Sequence, residues 1–175
     1  MVLSPTNWKK RVCMPEISTD TSFVTPFQPI EVGKARFLLR ELDWGEHFVG
    51  TSLNPAMGNN QVYIYSLKEM LRFLTQGGAS LGVLEGSSRV GFSWLEPQKL
   101  LHWLRNALQD DELADALEAA LSTPEEMAAR GAGSMESILT PGFSNIYPYL
   151  EQLQIMAETI NMRIFQLEQV VAEAE

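Results

Sequence analysis

The chain closes on a regular apolar repeat, with apolar side chains at 150, 153, 157, 160, 164, 167, 171 and 174. Steps of three and four alternate, as in a heptad that puts Leu150, Ala157, Ile164 and Val171 at one seam position and Leu153, Ile160, Leu167 and Ala174 at the other. Gln154, Asn161, Glu168 and Glu175, which flank the seam, are polar. Met156, Met162, Phe165 and Val170 widen the stripe, so two sides of the helix have apolar surface to cover. The pattern predicts a long helix over 149–175 that packs on the body, on a second chain, or on both. Leu150, Leu153, Ala157, Ile160, Ile164, Leu167 and Val171 form the candidate interface, and the strict repeat favours self-association over a purely internal core helix or a different protein partner.

Upstream, helical and strand periods alternate. In "PIEVGKARFLLRELDWG", Val32, Ala35, Leu38, Leu39 and Leu42 share one stripe and Gly45 offers a stop, which predicts a helix. "HFVGTSLNPAMGNN" carries Gly, Asn and Pro at turn-forming density, and "QVYIY" after it reads as a short strand. "SLKEMLRFLTQGG" is the best-marked helix: Ser66 and Glu69 make a capping box, Leu67, Met70, Leu71 and Leu74 make the stripe, and Gly77 or Gly78 ends it. "SLGVLEGSSRVGFSW" reads as a hairpin in which Val90, Phe92 and Trp94 alternate on one face.

Beyond Trp94 only helices are expected. Pro97 suits the first turn of a helix whose Leu100, Leu101, Leu104 and Leu108 face one way. Asp110 or Asp111 caps "ELADALEAAL", and Thr123, Pro124 and Glu126 repeat the cap and capping box for "PEEMAAR", stopped by Gly131. The fold class is therefore α+β: a small antiparallel sheet of three or more strands from residues 48–94, packed with helices, and a helical C-terminal half. The organisation predicted is an N-terminal arm at 1–28, an α+β domain at 29–130, a linker at 131–148 and the terminal helix at 149–175.

Composition places this in the ordinary globular class. The 175 residues are 45% hydrophobic and 20% charged, and a chain of that size buries about 68–70% of its unfolded surface. One cysteine, Cys13, permits no internal disulfide, and the N-terminal stretch has no apolar core of a signal peptide, so a cytoplasmic location is the expectation. No apolar run reaches the length that spans a bilayer.

The charge is uneven. Residues 110–175 hold two basic and thirteen acidic side chains, a charge of −11 that exceeds the −9 of the whole chain. Such a segment repels phosphate backbones, so nucleic acid is not expected as a partner. Solvated helix faces explain the acidity, and a steering surface for a basic partner is the sharper alternative. Lys9, Lys10 and Arg11 in the arm read as solvated charge.

Candidate chemistry is sparse. His47 precedes a strand and His102 lies on an amphipathic helix beside Trp103, with no second His or Cys at ligand spacing, so no metal or cofactor is expected. Asp110, Asp111, Glu112 and Asp115 open a helix, where carboxylates interact favourably with the helix dipole. "GGASLGVLEG" is followed by no G-K-[ST], which leaves its glycines to a helix stop and a hairpin. The order of helix, strand, helix, hairpin and long C-terminal helix resembles winged-helix regulators with a dimerising tail, as in the PadR family. That resemblance implies DNA binding by a basic recognition helix, yet residues 67–76 offer only Lys68 and Arg72. The function expected is a non-enzymatic protein-interaction module acting as an oligomer. The alternative is a small-molecule sensor or enzyme with its site at the 50–60 loop.

Overall fold

The computed structural model describes residues 27–54, 58–76, 92–129 and 146–175. The first helix, α1 (Val32–Leu38), buries Ala35 and Leu38, and Leu42 beyond its end is buried too, so the expected stripe faces the core. The helix stops well before Gly45. Arg40 folds back over the Phe37 ring, 3.6 Å from its centroid, and donates to the carbonyls of Phe37 (2.9 Å) and Ala107 (3.1 Å). These bonds satisfy a carbonyl that a continuing helix would have used. A 3₁₀ turn at Trp44–Glu46 leads into the sheet.

Three strands, β1 (Phe48–Asn54), β2 (Gly58–Ile64) and β3 (Phe92–Trp94), form an antiparallel sheet in the order β2-β1-β3. β1 and β2 pair without interruption from Phe48 opposite Ile64 to Asn54 opposite Gly58. Of the loop expected over 50–60, residues 50–54 and 58–60 are strand. The polar residues Asn59, Asn60 and Gln61 are exposed on an outer strand, where amide side chains carry little burial penalty. Apart from β3, the hairpin expected over 80–94 lies outside the described residues.

The sheet's inner face, with Phe48, Gly50 and Ile64 buried, packs on α2 (Leu67–Gln76). Gly50 is required by this packing, since a Cβ there would lie 2.5 Å from the Phe73 ring. The predicted capping box opens α2: Ser66 Oγ accepts from the Glu69 amide at 3.3 Å. The Glu69 carboxylate reaches one residue further back than expected, to the Tyr65 amide at 2.7 Å, so the cap also fixes the end of β2.

α3 (Pro97–Trp103) buries Leu100, Leu101 and Trp103 and continues into a π-helical turn, Leu104–Leu108. Gln109 then adopts the left-handed conformation (φ 61°), and the Asp110 amide returns to the Leu104 carbonyl at 3.0 Å. This reversal delivers Asp110 as the N-cap of α4 (Asp111–Ala120), where Oδ1 accepts from the Leu113 amide. α5 (Pro124–Ala129) opens with the expected reciprocal capping box, Thr123 Oγ1 accepting at 3.2 Å and Glu126 at 2.8 Å.

The last helix, α6 (Ile146–Ala172), begins three residues before the expected start at 149 and packs on α1, α2 and α4. Tyr149 near its start is buried. Its hydroxyl accepts from the Leu95 amide (2.9 Å) and donates to the Ser93 carbonyl (3.1 Å), while burial pushes its ionisation above the usual tyrosine range. One turn from the middle of α6, Arg163 is wholly buried (0% exposed) beside Asp110 (1%). Nε and Nη2 donate to the two Asp110 oxygens at 2.9 and 2.8 Å, and Nη1 reaches Gln166 Oε1 (2.8 Å) and Glu112 (3.1 Å). The guanidinium also lies 4.8 Å from the Phe27 ring centroid. Gln28 completes the network: its amide donates to Glu112 and its carbonyl accepts from Gln166 at 2.7 Å.

Two stability measurements test this frame. Ser66→Ala should lower stability by about 1 kcal/mol in urea, the usual worth of an N-cap oxygen. Arg163→Met should lower it by about 3–5 kcal/mol, because Asp110 is left charged and unpaired in the interior. Adding Asp110→Asn to Arg163→Met should recover part of that loss, and a double variant no more stable than the single would show that charge burial is not the cause.

Candidate functional site: an aromatic face at the open edge of the sheet

Strand alternation points Asn59, Gln61 and Tyr63 away from the face that packs on α2. Around Tyr63 the chain gathers three more rings. The 3₁₀ turn supplies Trp44, the residue after it is His47, and the residue after β2 is Tyr65. Ring centroids lie 5.8 Å apart for Trp44 and Tyr63, 6.1 Å for Trp44 and Tyr65, and 5.0 Å for His47 and Tyr63. The His47 ring is oriented by Nδ1, which donates to the Trp44 carbonyl. Trp44 remains 71% exposed and Tyr63 45%, and Val49, the cross-strand neighbour of Tyr63, is 42% exposed. Asp43 and Glu46 flank Trp44 in the chain and are exposed, giving the cluster an acidic rim.

The strand edge beside these rings is open among the described residues. The Leu42 amide donates to the Tyr65 carbonyl at 2.8 Å, so the main chain of Tyr65 faces away from β1. The pairing of β1 with β2 has no bulge, so the outward direction recurs at every second residue. The amides and carbonyls of Tyr63, Gln61 and Asn59 therefore also face outward. Gly58, Asn60, Val62 and Ile64 direct theirs to β1. No charge and no proline occurs in the strand Gly58–Ile64, so the usual guards of an exposed edge are missing.

This face can bind, by ring stacking and by main-chain hydrogen bonds. It has no acid–base pair: His47 is engaged with a main-chain carbonyl and in ring contacts. His102 is exposed on α3 in contact with Asn106. Among the described residues, no group of three or more His, Cys, Asp or Glu is placed to hold a metal ion, and no helix is long and apolar enough to cross a membrane. A shallow open groove between α2 and α6 is lined in part by Lys68, Leu71, Arg72 and Ala157. Lys68 there is paired with Glu168 at 2.7 Å, which leaves little basic surface on the helix that a winged-helix resemblance would use to read DNA.

The residues expected to form the seam come together along the side of α6 that faces the body. Leu153, Ile160 and Leu167 are wholly buried, Leu150, Ala157 and Ile164 nearly so, and Val171 half-buried, all within one chain. Of the carboxylates at the start of α4, Asp110 acts as the expected cap and in addition holds Arg163. Asp115 pairs with Arg105 at 2.8 Å, and with Glu118 it holds that guanidinium in its charged form. Cys13 and the Lys9–Arg11 triplet lie outside the described residues. The pattern alone missed the aromatic face: Trp44 and His47 lie in and just after an early turn, Tyr63 and Tyr65 in and just after a later strand, and no local signal shows that the two meet. Compared with known proteins, the chain matches no family model, no curated protein and no solved structure.

Proposed function

We propose that this chain is a non-enzymatic protein-interaction module of the cytoplasm, an adaptor, assembly factor or regulator, which works as an oligomer and makes its contact through the aromatic face. The observation that supports this most is Trp44, a large ring left 71% exposed on top of other rings. Trp and Tyr are the side chains that most often dominate the energy of protein interfaces, and contiguous exposed apolar surface marks docking sites more often than chance. The acidic rim and the net charge of −9 argue against nucleic acid or an anionic membrane surface as the partner. The apolar seam of α6 is for the most part covered by the chain itself, which supports this other surface as the place of self-association.

Sedimentation velocity over a range of concentrations checks the proposal. The wild type should sediment as a species heavier than 19.6 kDa, and Trp44→Ala should weaken the association by more than about tenfold while keeping the circular dichroism of the wild type. A wild type that stays monomeric up to about 0.1 mM would defeat it.

A further inference from the structure

We infer that the open strand edge beside this face takes a second copy of the chain, added edge to edge along β2 about a two-fold axis at Gln61. The inference rests on the interaction function proposed above and specifies how it is carried out. Its starting point is the set of outward main-chain groups at Asn59, Gln61 and Tyr63, an amide and a carbonyl from each, none paired among the described residues. These groups are symmetric about Gln61. An antiparallel copy that sets Gln61 opposite Gln61 also sets Asn59 opposite the partner's Tyr63, and Tyr63 opposite the partner's Asn59. In that register every outward donor meets an outward acceptor, as in any hydrogen-bonded antiparallel ladder. A strand pairing with itself in this way makes an isologous contact, the commonest kind in homodimers.

Charge selects the same occupant. Two chains of net charge −9 repel, and self-association is least opposed where the apposed surfaces carry no charge. The strand Gly58–Ile64 has none, so no like charges face each other across the axis. The side chains brought together are amides and a phenol, able to bond one another across the seam. The aromatic face follows from this arrangement. The partner strand's Gly58 end comes alongside the turn that carries Trp44, and Tyr63 meets the partner on the same side of the sheet. The rings left exposed in one chain thus border the contact, and the three-stranded sheet becomes one of twice that width.

The test uses the direction of a single amide. Because the Gln61 N–H faces away from β1, Gln61→Pro removes no main-chain hydrogen bond among the described residues and only the long contact in which Gln61 Oε1 accepts from the Tyr63 hydroxyl at 3.4 Å, whereas it removes one main-chain bond on the axis from each copy. Gln61→Lys instead places two like charges opposite each other. In sedimentation velocity, Gln61→Pro should shift the dimer to monomer with circular dichroism and urea midpoint close to wild type. Gln61→Lys should weaken association more than about tenfold at low salt and recover much of it in 1 M salt, where charges are screened within about 3 Å. A wild-type dimer whose affinity is unchanged by Gln61→Lys at low salt overturns the edge pairing but leaves the interaction function standing, even if Gln61→Pro fails to fold. A monomeric wild type overturns both.

Discussion

The buried pair of Arg163 and Asp110 is the constraint on which the rest of the structure depends. Three stretches far apart in the chain meet at it: Phe27 and Gln28, the start of α4, and the second half of α6. Moving a guanidinium and a carboxylate out of water carries a desolvation cost of several kcal/mol for each ion, and only near-ideal geometry offsets it. Here the fork of Arg163 spans both oxygens of Asp110, the N-terminal dipole of α4 lies behind the carboxylate, and Gln166 and Glu112 take the remaining side of the guanidinium. The arrangement holds only if all three stretches are in place together, so it penalises alternative packings more than it adds to the native one.

That penalty settles an ambiguity which the apolar surface alone leaves open. A repeat of seven fits its neighbours nearly as well after a slip of seven residues, since each seam position meets another aliphatic side chain. Such a slip would carry Arg163 away from Asp110 and leave both charges without partners in the core. One polar contact therefore fixes the register of α6, while Leu153, Met156, Ile160 and Leu167 supply the apolar burial against α1, α2 and α4. At the other end of the helix Tyr149 has a comparable part, its hydroxyl bound to the main chain on either side of Trp94.

Much of this architecture was legible in the order of residues, and the reasons differ from element to element. Helices with capping boxes were readable because Ser66 with Glu69 and Thr123 with Glu126 are local devices, complete within four residues. The apolar stripes of α2, α3 and α6 were readable because burial repeats with the helical period. The hairpin of β1 and β2 was not, since Gly50, Asn54, Asn59 and Asn60 favour turns by propensity and are held in strands by a partner. Arg163 left no local mark: its role exists only once residues 110 and 163 have been brought together. The aromatic face lies between these cases. Its rings were visible as letters, but nothing in their spacing says that an early turn folds beside a later strand.

The π-helical turn at Leu104–Leu108 has a further consequence, which concerns the length of the chain and not its chemistry. A π turn is an α-helical turn with one residue inserted, and the wider turn absorbs that residue. A second extra residue here would find no such slack and would rotate everything after it by about 100° about the helix axis. Leu108 would leave the core, and Asp110 would turn away from the guanidinium of Arg163. Between Trp103 and Asp110 a gain of one residue would therefore be harder to accommodate than a loss of one, and harder than most substitutions within the connection.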